Sequence, residues 1–184
     1  MGDLHRVGRT LRHCFIKENG QRFYGQLLKP PMSQTRNSTF FNPRRILKVD
    51  KEQKINNGEV FQMMDGDWGL TFDNTEGYYR DSIYRTFGVI IMDSCLKWKR
   101  RISEIDPLTR QEKTVGYEDL GNLRCSMEFV AYSDDSLKIP QPRYRILCGK
   151  DIRPGDFLDD EITVQHVEHV MGITMAYVRG KNIV

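Results

Sequence analysis

Asn19-Gly20 and Asp65-Gly66 constrain this chain most, because each divides two strand-length runs in which aromatic or apolar residues mix with polar ones. The runs are CFIKENGQRFYGQ and EVFQMMDGDWGLTF. Asn-Gly accepts positive φ at both positions, the requirement of a type I′ hairpin turn, and Asp-Gly serves similarly. Gly20 and Gly66 are therefore turn glycines. A third hairpin is expected in ITVQHVEHVMGITMAYV, with its strands meeting near Met171-Gly172. There Ile162, Val164, His166 and Glu168 share one parity and Thr163, Gln165, Val167 and His169 the other, an imperfect alternation that suits a curved sheet. A chain punctuated this way reads as all-β and mainly antiparallel. It is a barrel or sandwich built from hairpins, with long loops and little helix.

The stretches between the hairpins fit that class. Thr86–Leu96 is apolar and β-branched enough for a buried strand, and it runs into the basic segment Lys97-Trp98-Lys99-Arg100-Arg101. A turn follows at Asp106-Pro107, with a return strand from Asn122 to Tyr132. The polar residues between, Leu108 to Tyr117, read as an exposed, mobile loop. Ser133–Pro142 reads as a loop because Pro140 and Pro142 cannot both serve a central strand. Pro30–Thr39 has the composition of a linker. Leu4, Val7, Leu11 and Cys14 or Phe15 have helical spacing, although a strand fits there nearly as well, and Tyr78–Tyr84 allows one helical turn. The 184 residues suit a single β-rich domain, with room for an N-terminal arm at 1–40 and a barrel-like core at 41–184.

One internal pattern points to repetition. RRILKVDKEQKINNGEVF (44–61) and RYRILCGKDIRPGDF (143–157) each hold an Arg-Ile-Leu strand, a polar turn and an isoleucine. Each then has a glycine followed by an acidic and an apolar residue. A chain leaving one strand for another at a sharp corner wants glycine for positive φ, and the next acidic side chain can accept backbone N–H groups. Gly155 and Asp156 are the corner in the second segment. A real echo means two related β units, either one larger barrel or two small ones.

Composition removes several classes of function. The longest apolar run, Gly88–Met92, is a strand's length, so no membrane span is expected. The N-terminus lacks the apolar core of a signal peptide. Cys14, Cys95, Cys125 and Cys148 are scattered without a CxxC and read as reduced, partly buried thiols. His166 and His169 are separated by an odd offset on a strand, which directs them to opposite faces and argues against a metal pair. Asp134-Asp135 and the group Asp156, Asp159, Asp160 and Glu161 fall in turns, where aspartate is favoured for backbone reasons. There is no GxSxG, phosphate-binding loop or dinucleotide fingerprint, so neither an enzyme nor a cofactor is expected. Lys97, Trp98, Lys99, Arg100 and Arg101 have the composition of a nucleic-acid-facing or subunit-facing basic surface. A net charge of +3 adds little to that.

Three stretches of the C-terminal half carry a resemblance: LKWKRRISEIDPLTRQEKTVGYEDLGNLRCSMEFV, PRYRILCGKDIRPGDFLDD and EITVQHVEHVMGITMAYV. A basic strand, a variable polar loop, an Arg-rich strand, a Gly-Asp corner and a closing hairpin follow in that order. The pattern resembles the small head-completion proteins of tailed bacteriophages, the head–tail joining, adaptor or stopper proteins, over about residues 96–178. The resemblance implies a virion protein of the neck or tail, assembled in the host cytoplasm. It implies a ring of copies of itself between a portal or adaptor protein and tail proteins, helping to retain packaged DNA. The alternative is a nucleic-acid-binding β-barrel that uses residues 97–101.

Overall fold

The computed structural model describes residues 13–29, 45–76, 84–130 and 143–180. They form twelve strands and no helix: β1 His13–Lys17, β2 Arg22–Leu28, β3 Arg45–Asp50, β4 Val60–Gln62, β5 Trp68–Glu76, β6 Tyr84–Met92, β7 Ser94–Ile105, β8 Glu112–Val130, β9 Arg143–Cys148, β10 Phe157–Leu158, β11 Ile162–Val170 and β12 Ile173–Gly180. Every described pairing is antiparallel. The expected linker at 30–39, the loop at 133–142 with Asp134-Asp135, and residues 78–83 lie outside the described residues. So do Leu4, Val7 and Leu11; Cys14 lies on a strand.

The expected single domain gives way to two compact units, one of Met1–Met92 with Met171–Ile173 and one of Asp93–Val170 with Thr174–Val184. Each contains a closed six-stranded barrel. The segment 1–40 is not simply an arm, since it supplies β1 and β2 of the first barrel. The expected strand Thr86–Leu96 is likewise divided at Asp93, ending β6 of one barrel and starting β7 of the next.

The two barrels follow one plan. The first runs β1-β2-β3-β6-β5-β4, closing β4 on β1 through Ile16↔Gln62 and Lys17↔Phe61. The second runs β7-β8-β9-β12-β11-β10, closing β10 on β7 through Leu158↔Trp98 and Phe157↔Lys99. Numbered from its own first strand, each is 1-2-3-6-5-4. The echoed segments are strand three and the corner into strand four of each barrel.

The corners match bond for bond. Gly58 (φ +80°) donates its amide to Thr71 O at 2.7 Å, and Gly155 (φ +88°) donates to Val164 O at 2.8 Å. Thr71 N returns a bond to Glu59 O and Val164 N to Asp156 O, both at 3.0 Å. Ile55 and Ile152, each 1% exposed, plug the cores beneath. The echo slips in one place. Leu47 and Val49 face the first core, whereas Ile146 and Cys148 face the second, so the Arg-Ile-Leu strings align one residue off the facing of their side chains.

The first core centres on Phe15, Phe23 and Phe61, whose ring centroids lie 5.2 to 5.5 Å apart. Each ring is nearly fully buried, and burial of this kind contributes roughly 1.5–3 kcal/mol per side chain. The second packs Leu96, Trp98, Leu123, Cys125, Ile146, Leu158 and Val164.

The hairpin at Asn19-Gly20 is present, but its turn is not type I′. Only Gly20 has positive φ (+82°). Gly20 N donates to Lys17 O at 2.9 Å and Lys17 N to Gln21 O at 2.8 Å, a three-residue turn closed by a glycine bulge. Asp65-Gly66 repeats it, with Gly66 N on Met63 O at 3.1 Å and Met63 N on Asp67 O at 2.7 Å. Positive φ at both central positions occurs instead at Asp159-Asp160 (+50°, +61°) and Met171-Gly172 (+52°, +78°). Gly66→Val and Gly155→Val each force a β-branched residue into the left-handed region (+91° and +88°) and are expected to cost about 1–2 kcal/mol or more. Nothing lies within 4 Å of a Cβ added at Gly66, so its cost is purely backbone. A loss below about 0.5 kcal/mol in urea denaturation, the range of ordinary surface changes, would contradict these corners.

Candidate functional site

The basic segment lies on β7, where alternation separates its members. Trp98 points into the barrel and is 8% exposed, which removes it from the surface where its composition had placed it. Its inward neighbour Leu96 carries the parity that dictates this. The cations are largely matched: Lys99 Nζ lies 2.6 Å from Asp160, Arg100 Nη2 3.2 Å from Asp156, and Arg101 Nη2 3.0 Å from Glu112. Lys97 is exposed. A run that reads as a positive stripe in sequence is therefore a ladder of ion pairs within the second barrel.

Asp156 organises the end of that ladder. Its side chain is 2% exposed. Oδ2 accepts from Trp98 Nε1 at 2.8 Å, from Arg100 Nη2 at 3.2 Å and from Arg153 N at 3.0 Å, while Oδ1 faces Arg100 Nε at 3.3 Å. Arg100 also donates to Asp151 O at 2.6 Å and lies 5.2 Å from the Trp98 ring centroid. A carboxylate this well satisfied is held as a charge acceptor, and the arrangement serves as a structural clamp. In the first barrel Lys17 occupies the place of Trp98, and its Nζ lies 2.7 Å from Glu59, the counterpart of Asp156.

Beyond the barrel β7 and β8 continue as a two-stranded ribbon, so of the exposed loop expected over Leu108–Tyr117 only Leu108–Gln111 lies outside the strands, while Glu112 onward is strand. Pairing runs from Arg101↔Tyr117 to Ile105↔Glu112, with a bulge where Ile102/Ser103 oppose Gly116/Thr114. Both faces of the ribbon are wet, so its sequence lacks the alternation that marks a half-buried strand. The tip is tightly built. Asp106 Oδ1 accepts from Leu108 N at 2.8 Å and faces Thr109 N at 3.4 Å, Asp106 N donates to Gln111 O at 2.9 Å, and Arg110 takes φ +54°. The Leu108 amide, then that of Thr109, holds the Asp106 carboxyl below its ordinary range. The tip's cap is thus present at neutral pH and is lost only as pH falls through that lowered value. Midway along the ribbon, Ser103 and then Arg101 lower the Glu112 carboxyl in the same way. On this frame Leu108 is 92% exposed and Ile105 72%.

At the base of the ribbon lies an open cleft of about 280 Å³ lined by Lys99, Tyr117, Asp119, Phe157 and Asp160. Tyr117 and Phe157 meet edge to face with centroids 5.1 Å apart. Two aromatic walls bordered by two carboxylates and one ammonium can take an apolar side chain flanked by a cation.

The remaining candidates are dispersed. His166 stacks on Tyr177 at 5.9 Å and lies 3.3 Å from Glu168, whereas His169 Nδ1 meets Thr174 Oγ1 at 3.3 Å. Among the described residues no three His, Cys, Asp or Glu side chains gather to hold a metal, and no helix is long and apolar enough to cross a membrane. The four thiols are free. Burial pushes Cys148 up to about 11; burial, with Cys148 beside it, pushes Cys125 higher still. Because the thiolate is the reactive form, a thiol reagent at pH 8 should titrate the exposed Cys14 and Cys95 at once, and Cys125 and Cys148 only after denaturation. More than two fast thiols in the folded protein would contradict this packing. Compared with protein-family models, curated proteins and solved structures, the chain matches none.

Proposed function

We propose that this protein works by assembly, as a connector of the neck or tail of a tailed bacteriophage, joining the portal or head to the tail as a ring. The observation that carries this reading is the β7–β8 ribbon. An isolated two-stranded ribbon is marginal in water, yet this one carries the Arg101–Glu112 ion pair and a capped tip while presenting Leu108 and Ile105 to solvent. An apolar side chain held out on a rigid frame stabilises nothing within its own chain and suits a partner's surface. The order of elements that the C-terminal half shares with head-completion proteins supports placing that partner in a virion. Its partners on this reading are further copies of itself, a portal or adaptor protein, tail proteins and the packaged DNA.

The nucleic-acid alternative draws on Lys97, Lys99, Arg100 and Arg101, three of which already face carboxylates. Immunogold labelling of native particles decides the matter. Label at the head–tail junction or along the tail is the expected result. Particles free of the protein, together with salt-sensitive oligonucleotide binding lost in the Lys97→Ala, Arg100→Ala, Arg101→Ala triple variant, would overturn it.

A further inference from the structure

We infer that the ribbon tip of one copy seats in the Tyr117–Phe157 cleft of the next, a head-to-tail contact between copies of this chain. This inference rests on the ring-forming reading above and names the surfaces that form the ring. The two surfaces fit each other in chemistry. The tip offers an apolar knob, Leu108, with the exposed cation Arg110 two residues on. The cleft offers two aromatic walls, and its carboxylates Asp119 and Asp160 outnumber its single cation Lys99. An apolar side chain thereby gains aromatic contact while a guanidinium meets net negative charge.

Geometry makes the contact intermolecular. Tyr117 belongs to the same paired ribbon as the tip, and the strand between Gln111 and Tyr117 spans about 20 Å at ordinary strand rise. A ladder of backbone hydrogen bonds holds the tip at that distance, so Leu108 cannot fold back onto the cleft of its own chain. A knob and a socket at opposite ends of one rigid element give a heterologous interface, which closes into a ring when the rotation permits. A single leucine buries too little surface for a stable interface. Ile105 beside it and the closure of the ring, in which every copy makes two contacts, supply the remainder.

The test uses full-length chains and light scattering coupled to size-exclusion chromatography. Leu108→Asp disables the knob, and Tyr117→Glu disables the socket. Both positions are at least half exposed, so the fold should survive. The wild type is expected to form closed oligomers and each variant alone to stay monomeric. A mixture of the two variants, taken to high concentration, should yield a weak one-to-one heterodimer, because one intact knob meets one intact socket while the ring closure that strengthens the wild-type contact is absent. The heterodimer also shows that both variants are folded. Oligomers that persist in either variant, or monomeric variants that fail to pair when mixed, would overturn the knob-and-socket contact and leave the ring reading standing. A wild type that stays monomeric would overturn both.

Discussion

Asp156→Ala is expected to destabilise the second barrel by about 2–4 kcal/mol, the cost of leaving a buried indole N–H and a partly buried guanidinium without their carboxylate. Three donors lose their acceptor at once: the Trp98 indole, the Arg100 guanidinium and the Arg153 amide. The Trp98–Asp156 hydrogen bond is buried. Asp156→Asn should cost less, because an amide oxygen still accepts from one of these donors while the charge opposite Arg100 is lost. Urea unfolding followed by tryptophan fluorescence measures both variants, and Trp98 reports on the site directly. A loss under 1 kcal/mol for the alanine variant would mean that the corner is held by its backbone bonds alone.

The second large effect belongs to the matching position in the first barrel. Lys17, whose side chain is 9% exposed, lies 2.7 Å from Glu59 and donates to Lys54 O. Lys17→Ala removes the cation and leaves Glu59, 27% exposed, facing a small void. A loss of about 2–4 kcal/mol is expected, because Glu59 Oε2, the oxygen facing the ammonium, is buried and left without a partner while the rest of the side chain is only partly exposed. Replacing both partners, Lys17→Met with Glu59→Gln, should recover most of that loss, since a buried ion pair contributes little net stability over a well-packed neutral pair. Equal destabilisation in the single and double variants would show that the lysine acts through its ammonium, paired with Glu59 and bonded to Lys54 O, and not through packing of its stem, which methionine keeps.

These two sites explain how much of the molecule could be read from the chain. The turn glycines Gly20, Gly66 and Gly155 were legible because positive φ selects strongly for residue type, and all three have it. The all-β class follows from the same punctuation. The Gly-Asp corner was legible as a backbone acceptor, and Asp156 does accept the Arg153 amide. Its bonds to Trp98 and Arg100 were not, since they join positions more than fifty residues apart. Trp98 looked like a surface aromatic because its neighbours are cations. The usable signal was its shared parity with Leu96, which puts both inside.

Other features escaped for different physical reasons. A type I′ turn was expected at Asn19-Gly20, whereas positive φ at both central positions occurs at Asp159-Asp160 and Met171-Gly172, because hairpin length and bulges depend on how strands are paired and not on the dipeptide alone. The ribbon was mistaken for a loop since a strand wet on both faces keeps no alternation. The duplication was visible as an echo of corner chemistry, with Gly58-Glu59 matching Gly155-Asp156. The number of barrels was not visible, because the boundary at Met92-Asp93 falls within Thr86–Leu96, a stretch that reads as one strand.

The proposal that this chain works by assembly rests on a repeated barrel plan and on a paired ribbon that holds Leu108 and Ile105 out to solvent. The measurement that tests this most directly is electron microscopy of the purified full-length chain at assembly concentrations. The predicted result is closed rings of uniform copy number that Leu108→Asp disperses. A uniform field of single particles from the unmodified protein would contradict it.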